Sequence, residues 1–147
     1  MKELFGKYIA RINAYLQIVV NHHLEEYGIG SGQYMFLINI YENQGISQKE
    51  LSSLIKIDKA TTAKALKKLE VQGYINRVTS AEDKRYNKLY LSEKAIAFMP
   101  KLNEVLAKTS SDFTSGVSDE EYDQAMKVLK MMFSNGHEIV ENIREER

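Results

Sequence analysis

Two helix-start signals, eleven residues apart, constrain the middle of this chain more than any other feature of its sequence. Ser47 is followed three residues later by Glu50, a pairing that satisfies free backbone donors at the start of a helix. Asp58 then offers a second N-cap, and Gly73 suits the position just past the end of the helix that begins there. The spacing predicts a short helix, a tight turn at residues 56–57 and a longer helix.

A β-hairpin is predicted directly after the longer helix. The runs YINRVT and YNKLYL are rich in β-branched and aromatic residues, and the charged run SAEDKR separates them. Two helices joined by a tight turn and followed by a hairpin make a winged helix-turn-helix, whose second helix is placed in the major groove of DNA. The hairpin, or wing, then lies near the phosphate backbone. Taken singly, each segment also fits a plainer interpretation, a solvated helix face or a solvated hairpin.

Helices are also predicted on both sides of this segment. Apolar residues recur at three- and four-residue steps over residues 4–27 and again over residues 122–143, which indicates two long amphipathic helices. Serines suit the N-caps of the second, fifth and last helices: Ser31, Ser92 and Ser118. A bend is predicted at Pro100, which supplies no amide donor. The predicted fold class is therefore mainly α, with a small β-hairpin wing.

The two long apolar stripes predict a homodimer. Together they carry more apolar surface than a compact core would cover, so a self-associating interface is expected. The alternative is that the two helices pack on each other within one chain. A dimer would present two copies of the fourth helix to half-sites about 34–36 Å apart on one duplex.

Basic residues are concentrated in the predicted winged helix. The whole chain is neutral, but residues 47–90 carry ten Lys or Arg against five Asp or Glu, a net charge of +5, which leaves −5 for the remainder. A basic segment between neutral or acidic flanks is the pattern expected of a DNA-binding lobe held by a scaffold that does not contact DNA. We therefore predict double-stranded DNA as the partner.

The sequence gives little support to an enzyme, a membrane protein or a cofactor-binding protein. Cysteine is absent, which excludes thiolate metal sites, and no catalytic motif or glycine-rich phosphate loop is found. His22 and His23 lie near Glu26, but adjacent residues point about 100° apart on a helix, so the ligands are too few without distant His137. We predict no catalytic site, cofactor or metal. A cytoplasmic location is expected because the N-terminus lacks an uninterrupted apolar segment.

A family resemblance covers nearly the whole chain and is strongest over residues 51–95. That run reads LSSLIKIDKATTAKALKKLEVQGYINRVTSAEDKRYNKLYLSEKA, and it resembles the MarR (multiple antibiotic resistance regulator) family of bacterial winged-helix transcription factors. The resemblance is specific in the wing signature Asp83-x-Arg85, in LEVQGYINR and in LYLSEKA. It implies a two-fold dimer of intertwined terminal helices that binds palindromic operators. It also implies a small, often anionic aromatic effector bound between the dimer helices and the DNA-binding lobe.

We expect one domain, residues 1–147, with a winged-helix lobe at 31–92 and a dimerisation region formed by 1–30 and 93–147. Helical projection of the fourth helix predicts an outer face made of Thr61, Lys64, Ala65 and Lys68, with Thr62 on its flank. The opposite, buried row is predicted to be Ala60, Ala63, Leu66 and Leu69.

The wing tip completes the predicted DNA-binding surface. Lys84 and Arg85 are expected to reach the duplex, since an Arg gains from the negative potential of a narrow minor groove, and Asp83 is expected to hold the tip in shape. The full set of predicted DNA-binding residues is Ser47, Gln48, Lys59, Thr61, Thr62, Lys64, Ala65, Lys68, Arg77, Asp83, Lys84 and Arg85.

Together these features predict a dimeric, sequence-specific DNA-binding regulator, and specifically a repressor released from an inverted-repeat operator by a small effector. Two alternatives stay open at the level of sequence. One is a winged-helix module that binds another protein without DNA specificity. The other is a metal-dependent protein, a metal-responsive regulator or a small enzyme, built on the three histidines.

Overall fold

The structure, a computed structural model, describes residues 2–79, 81–82 and 87–147. Within these ranges the chain is mainly helical, with a small antiparallel sheet. The helices are α1 (Phe5–Leu24), α2 (Tyr34–Glu42), α3 (Gln48–Ile55), α4 (Lys59–Val71), α5 (Glu93–Phe113) and α6 (Asp119–Glu145). The strands are β1 (Ile46–Ser47), β2 (Ile75–Thr79) and β3 (Asn87–Leu91). The chain divides into two compact units, Met1–Thr109 and Ser110–Arg147.

The first unit begins with the long predicted helix α1. Its last residue, Leu24, is fully buried, and a short 3-10 turn, Glu25–Tyr27, leads to Gly28. Gly28 has a φ of 68°, a left-handed conformation that an L side chain rarely adopts. Most of the apolar residues on α1 stay exposed, so α1 buries only its C-terminal end in this unit.

The second helix starts later than the sequence predicts. Ser31 was the expected N-cap, but α2 begins at Tyr34 with Gln33 at the capping position, so that prediction is wrong. The backbone N–H of Ser31 donates instead to Asn21 Oδ1 at 2.8 Å, and the Gln33 side chain accepts from the N–H of Gly30 at 2.9 Å. These side chains hold the loop after α1 and make a serine cap unnecessary.

Other helix starts agree with their capping signals. Ser47 accepts a hydrogen bond from the N–H of Glu50 at 3.1 Å, which is one of the two bonds of the predicted pairing, and Asp58 accepts one from the N–H of Thr61 at 2.7 Å. Ser92 accepts from the N–H of Ala95 at the start of α5. Pro100 lies inside α5, which continues as one helix to Phe113.

The sheet has the strand order β1-β3-β2, and all its pairings are antiparallel. The hairpin of β2 and β3 was predicted and is confirmed, with Arg77 opposite Leu89. Strand β1 was not predicted, because two residues are too short to show a β pattern in a sequence. It joins through Ile46 opposite Leu89, after Gly45 turns the chain with a φ of 90°.

One hydrophobic core holds the first unit together. It is formed by side chains from every element of that unit, among them Leu24, Phe36, Leu37, Ile40, Leu51, Leu66, Leu69, Tyr74, Leu89 and Leu102. Each of these is at most 2% exposed. Burial of a side chain of this size contributes roughly 1.5–3 kcal/mol, so the core fixes how the helix-turn-helix is seated on the sheet and on α5.

The second unit contains the end of α5, a turn and the long helix α6. Ser118, the predicted N-cap, forms a capping box with Glu121, in which each side chain accepts from the other residue's backbone N–H. Gly116 turns the chain before it with a φ of 84°. No residue of α6 is buried. Across the described part of the chain, none of the helices has the length and apolar character that a bilayer crossing requires.

Tyr74 generates a prediction about alkaline stability. The residue is 2% exposed, and its hydroxyl donates to the carbonyl of Tyr27 at 2.5 Å. Burial, and to a smaller extent the neighbouring Tyr27, raises the pKa of Tyr74 above its ordinary value. Because the folded chain holds this proton more tightly, the stabilisation is complete below about pH 10 and is lost as the pH rises through the raised pKa.

We expect Tyr74→Phe to lower the free energy of unfolding at pH 7 by about 0.5–1.5 kcal/mol, the net value of one hydrogen bond. The same substitution should make the loss of stability above about pH 10 shallower than in the wild type. Urea denaturation from neutral to alkaline pH measures both effects. Tyr41→Phe, at a side chain that is 49% exposed, is the matched control for removing a phenol. Parallel curves for wild type and Tyr74→Phe would contradict the prediction.

Candidate nucleic-acid interface

The helix pair α3 and α4 is joined by a tight turn whose geometry is fixed by backbone and hydroxyl contacts. Lys56 ends α3 with a φ of 57°, a left-handed conformation that is uncommon for a residue with a side chain. The Ser52 hydroxyl donates to the carbonyl of Ile57 at 2.5 Å and accepts from Thr62 Oγ1 at 3.4 Å. These bonds connect the end of α3, the turn and the first turns of α4, so the two helices hold a defined angle.

Helix α4 presents a lysine-rich face to solvent. The predicted residues Lys59, Thr61, Lys64 and Lys68 are all exposed. Lys67, which the sequence analysis did not select, is exposed as well. The four exposed lysines on this helix can approach phosphates and base edges of a duplex.

Two predicted residues do not lie on that face. Thr62 is 0% exposed and Ala65 is 7% exposed, so the prediction that Ala65 faces outward, with Thr62 on the flank of that face, is wrong. Ala60, predicted to be buried, is exposed. A row of positions three residues apart drifts by about 60° per step around a helix, so Ala60 lies roughly 120° from Leu66.

Helix α4 is rotated differently in the structure, so that residues four positions apart are buried. Thr62 lies one turn from Leu66, and Ala65 lies one turn from Leu69, so all four share the inner face. The buried hydroxyl of Thr62 is satisfied by Ser52, which removes the cost of enclosing a polar group. A threonine with a partner on α3 therefore takes the inner position that the sequence pattern assigned to alanine.

Three further predicted residues, Ser47, Gln48 and Arg77, meet Lys59 around one open cavity of about 490 Å³ between α3, the start of α4 and the strands. Residues at its walls are Ser47, Gln48, Lys49, Lys59, Arg77 and Asn87. Ser47 is only 6% exposed, and its hydroxyl already caps α3. Lys49 was not selected from the sequence, since a single lysine in a capping segment gives no signal of its own. Lys49 and Lys59 bring positive charge to this cavity, whereas the charge of Arg77 is paired with the carboxylate of Glu70, so it is the two lysines that can attract an anion.

Arg77 is held by two partners from different helices. Its Nε donates to the carboxylate of Glu70 on α4, and its Nη1 donates to Gln48 Oε1 on α3 at 2.8 Å. The guanidinium therefore ties β2 to both helices of the helix-turn-helix. Glu70 was missed in the sequence analysis, because its partner is seven residues away on another element.

The predicted wing tip, Asp83, Lys84 and Arg85, lies outside the described residues. The strands that lead to it are described, and Lys88 on β3 is exposed opposite Val78. At the other end of the first unit, the rings of His22 and His23 stand 5.3 Å apart. Within the described ranges, no group of three His, Cys, Asp or Glu side chains comes close enough to hold a metal ion.

The element order α2-β1-α3-α4-β2-β3, with the three strands in one antiparallel sheet, defines a winged helix-turn-helix protein. The sequence matches the MarR family over residues 29–86. The uncharacterized HTH-type transcriptional regulator YybA of Bacillus subtilis (strain 168) is 33% identical over 127 residues, which is 86% of this chain and 85% of YybA.

Solved structures agree with this assignment. A MarR transcriptional regulator from Methanosarcina mazei Go1 is 37% identical, with a TM-score of 0.82 over 94% of this chain and 99% of that one. A protein from Listeria monocytogenes, described as a MarR family transcriptional regulator and solved in complex with a 26mer DNA, is 26% identical, with a TM-score of 0.88 over 99% and 96% of the two chains. The present chain belongs to the MarR family of transcriptional regulators.

The rotation of α4 can be tested with one chemical change at two positions. Ala65→Gln places a larger, polar side chain on the buried face and should lower the free energy of unfolding by about 1–3 kcal/mol. Ala60→Gln makes the same change on the exposed face and should stay within about 0.5 kcal/mol of the wild type. Urea denaturation monitored by circular dichroism measures both. Equal effects would contradict the observed rotation, and a larger effect of Ala60→Gln would show that α4 is rotated as the sequence pattern predicted.

Proposed function

We propose that this chain is a homodimeric, sequence-specific DNA-binding regulator that represses transcription from an inverted-repeat operator. In this proposal it acts in the cytoplasm, and a small aromatic or anionic effector releases it from DNA. The observation that carries the proposal is the exposed lysine face of α4, the second helix of the helix-turn-helix. The DNA complex of the Listeria protein supports the same use of the fold in this chain.

The first step of the proposed mechanism is electrostatic. Lysines that neutralise phosphates release bound counterions, which supplies affinity for any duplex. Lys59, Lys64, Lys67 and Lys68 extend along α4, and Lys49 and Arg77 border the neighbouring cavity. Together they give the lobe a basic surface, although the chain as a whole is neutral.

The second step is recognition of sequence. In a helix-turn-helix the exposed N-terminal part of the second helix contacts base edges in the major groove. Thr61 and Lys64 occupy this part of α4, and Thr61 is oriented by Asp58, which accepts from both its N–H and its hydroxyl. Lys64 and Lys68 can reach guanine acceptors or phosphates. The wing residues Lys84 and Arg85 are proposed to contact the minor groove, with Asp83 shaping the tip.

The third step is dimerisation. Within the first unit, α1 leaves a row of large apolar side chains 41–66% exposed: Phe5, Tyr8, Ile9, Ile12, Tyr15 and Ile18. Within the second unit, α6 leaves another set 42–59% exposed: Val128, Leu129, Met131, Ile139, Val140 and Ile143. Apolar rows of this extent are rare on soluble monomers and mark interaction surfaces. A second copy of the chain is the proposed occupant, since a two-fold dimer supplies the second recognition helix.

Release by an effector would be a population shift. The two recognition helices fit an operator at one separation, so a ligand that binds better to another separation lowers the affinity for DNA. The effector is proposed from the family resemblance, as a small aromatic or anionic compound.

The most informative experiment is selection of binding sites from random duplexes. Enrichment of an inverted repeat would establish DNA as the partner, its sequence specificity and the two-fold symmetry together. If no duplex is enriched, the proposed function is wrong. If the same purified protein then recovers a protein partner in a pull-down, the alternative of a protein-interaction module is favoured.

Lys64 gives a quantitative test of the α4 face. We expect Lys64→Ala to weaken operator binding, and the slope of log K against log salt to become shallower by about 0.9 for one lost phosphate contact. Fluorescence anisotropy measures the slope from about 50 to 200 mM salt, a range over which phosphate contacts change the affinity strongly. Lys101→Ala on α5 removes the same charge from a side chain that pairs with Glu104, and should leave the slope unchanged. Equal slopes for wild type and Lys64→Ala would exclude this contact.

The dimer interface can be tested independently of DNA. Ile12→Glu places a charge in the apolar row of α1, where burial against a second copy would leave the carboxylate without solvent. We expect sedimentation velocity to show a shift from dimer towards the 16.9 kDa monomer. Val71→Glu, at an apolar residue that is 75% exposed at the end of α4, is the control and should remain dimeric. A dimer of undiminished strength in Ile12→Glu would exclude α1 from the interface.

A further inference from the structure

The C-terminal end of α4 is attached to the loop that follows α1 by two side chains. Gln72, the residue that ends α4, donates from Nε2 to the carbonyl of Gly28. Tyr74, two residues later, donates from its hydroxyl to the carbonyl of Tyr27 at 2.5 Å. Both acceptors are carbonyls in the turn where α1 ends, 44 and 47 residues away in the sequence.

The same segment is attached to the start of α5 through its own backbone. The carbonyl of Gln72 accepts from Lys94 Nζ at 2.8 Å, that of Gly73 from the Ser92 hydroxyl at 2.6 Å, and that of Tyr74 from the N–H of Ser92 at 3.0 Å. The ammonium group of Lys94 also lies 4.3 Å from the centre of the Tyr74 ring. The three carbonyls of residues 72–74 thus accept hydrogen bonds from the start of α5, and the side chains of Gln72 and Tyr74 donate hydrogen bonds to the turn after α1.

Aromatic rings fill the space between these three elements. The ring of Phe98 on α5 lies 4.7 Å from that of Tyr27 and 5.8 Å from that of Tyr74, measured between ring centres. Phe98 is 6% exposed and Tyr74 is 2% exposed. A packed and hydrogen-bonded contact of this kind does not slide gradually, because its side chains have few alternative arrangements.

The glycine at the centre of the contact lies against the end of the Gln72 side chain. A Cβ on Gly28 would lie 2.7 Å from Gln72 Nε2, closer than such atoms approach, and the φ of 68° already disfavours any other residue. A side chain at residue 28 would therefore displace the end of Gln72 from its hydrogen bond to the carbonyl of Gly28.

We propose that Gln72 and Tyr74 are positioning residues for DNA recognition: they lock the recognition helix α4 to the end of α1, and so set the separation of the two recognition helices in the dimer. The inference rests on the proposed function, in which α1 is part of the dimer interface. Neither residue touches DNA in this proposal. Their effect appears in the half-site spacing that the dimer accepts.

The reasoning follows from the attachment points. If α1 is fixed against the partner subunit, each α4 is oriented relative to the two-fold axis through its connection to α1. Loss of the hydroxyl or amide contact would let the winged-helix lobe adopt several orientations. A dimer with variable separation would bind its best operator less tightly, and would discriminate less against operators with another spacing.

The experiment measures the dissociation constant for a set of duplexes that carry the selected half-sites at the optimal spacing and one base pair longer or shorter. Each added base pair moves one half-site by about 3.4 Å and rotates it by about 35°. The wild type is expected to lose at least about fivefold in affinity at a changed spacing, the lower end of typical coupling between sites. The spacing ratio is the dissociation constant at the changed spacing divided by that at the optimal spacing. In Tyr74→Phe and in Gly28→Ala this ratio is expected to fall towards one.

The ratio of the two dissociation constants distinguishes a positioning role from a loss of folding stability. A variant that is merely less folded has a lower active fraction, which raises both dissociation constants by the same factor and leaves their ratio unchanged. Tyr41→Phe is the control for loss of a phenol at an exposed position. Gly116→Ala is the control for left-handed backbone strain, because its φ is 84° and a Cβ there would meet nothing within 4 Å. Both controls should keep the ratio of the wild type.

Two results would overturn the proposal, and they are distinguishable. If Tyr74→Phe and Gly28→Ala are folded and dimeric but keep the spacing ratio of the wild type, the positioning role is wrong and the proposed function stands. If the wild type selects no inverted repeat, the proposed function fails and this inference fails with it. Tyr74→Phe retains the buried ring, so the test survives if Gly28→Ala does not fold.

Discussion

The packing of α4 on its inner face is the contact on which the rest of the structure depends. Thr62, Leu66 and Leu69 are fully buried there, against α3 and the core. Since a helix is a cylinder, burying one face determines which side chains lie on the opposite face. Lys64 and Lys68 are exposed because these three are enclosed. The chemistry available to a partner is thus set by apolar packing that the partner never touches.

Both ends of α4 are fixed by polar contacts that belong to different parts of the fold. At its start, Asp58 caps the helix and the Ser52 hydroxyl links α3 to the turn. At its end, Gln72 and Tyr74 connect it to the turn after α1 and to α5. Apolar burial selects the rotation of the helix, whereas these directional bonds select its position along and around the neighbouring elements. A recognition helix needs both, because base edges are read at hydrogen-bonding distance.

Charge and apolar surface are separated along the chain in a way that suits two different partners. The segment with a net charge of +5 forms the helix-turn-helix and wing, and the rest of the chain compensates with −5. The exposed apolar rows lie on α1 and α6, outside that segment. Phosphate attraction and apolar association can therefore act on separate segments of the chain, as the proposed function requires.

The sequence alone determined the features whose signals are local. The caps at Ser47, Asp58 and Ser118, Gly73 after α4 and the hairpin each depend on residues within a few positions of one another, and the structure confirms them. Only the tertiary structure decided the inner face of α4, the strand β1, and the contacts of Glu70 with Arg77 and of residues 72 and 74 with 27 and 28. A helical pattern with two nearly equivalent rows of small residues leaves the rotation open. Residues distant in sequence select the rotation of α4, because they determine which side-chain hydroxyl finds a hydrogen-bond partner and which alanine methyl is buried.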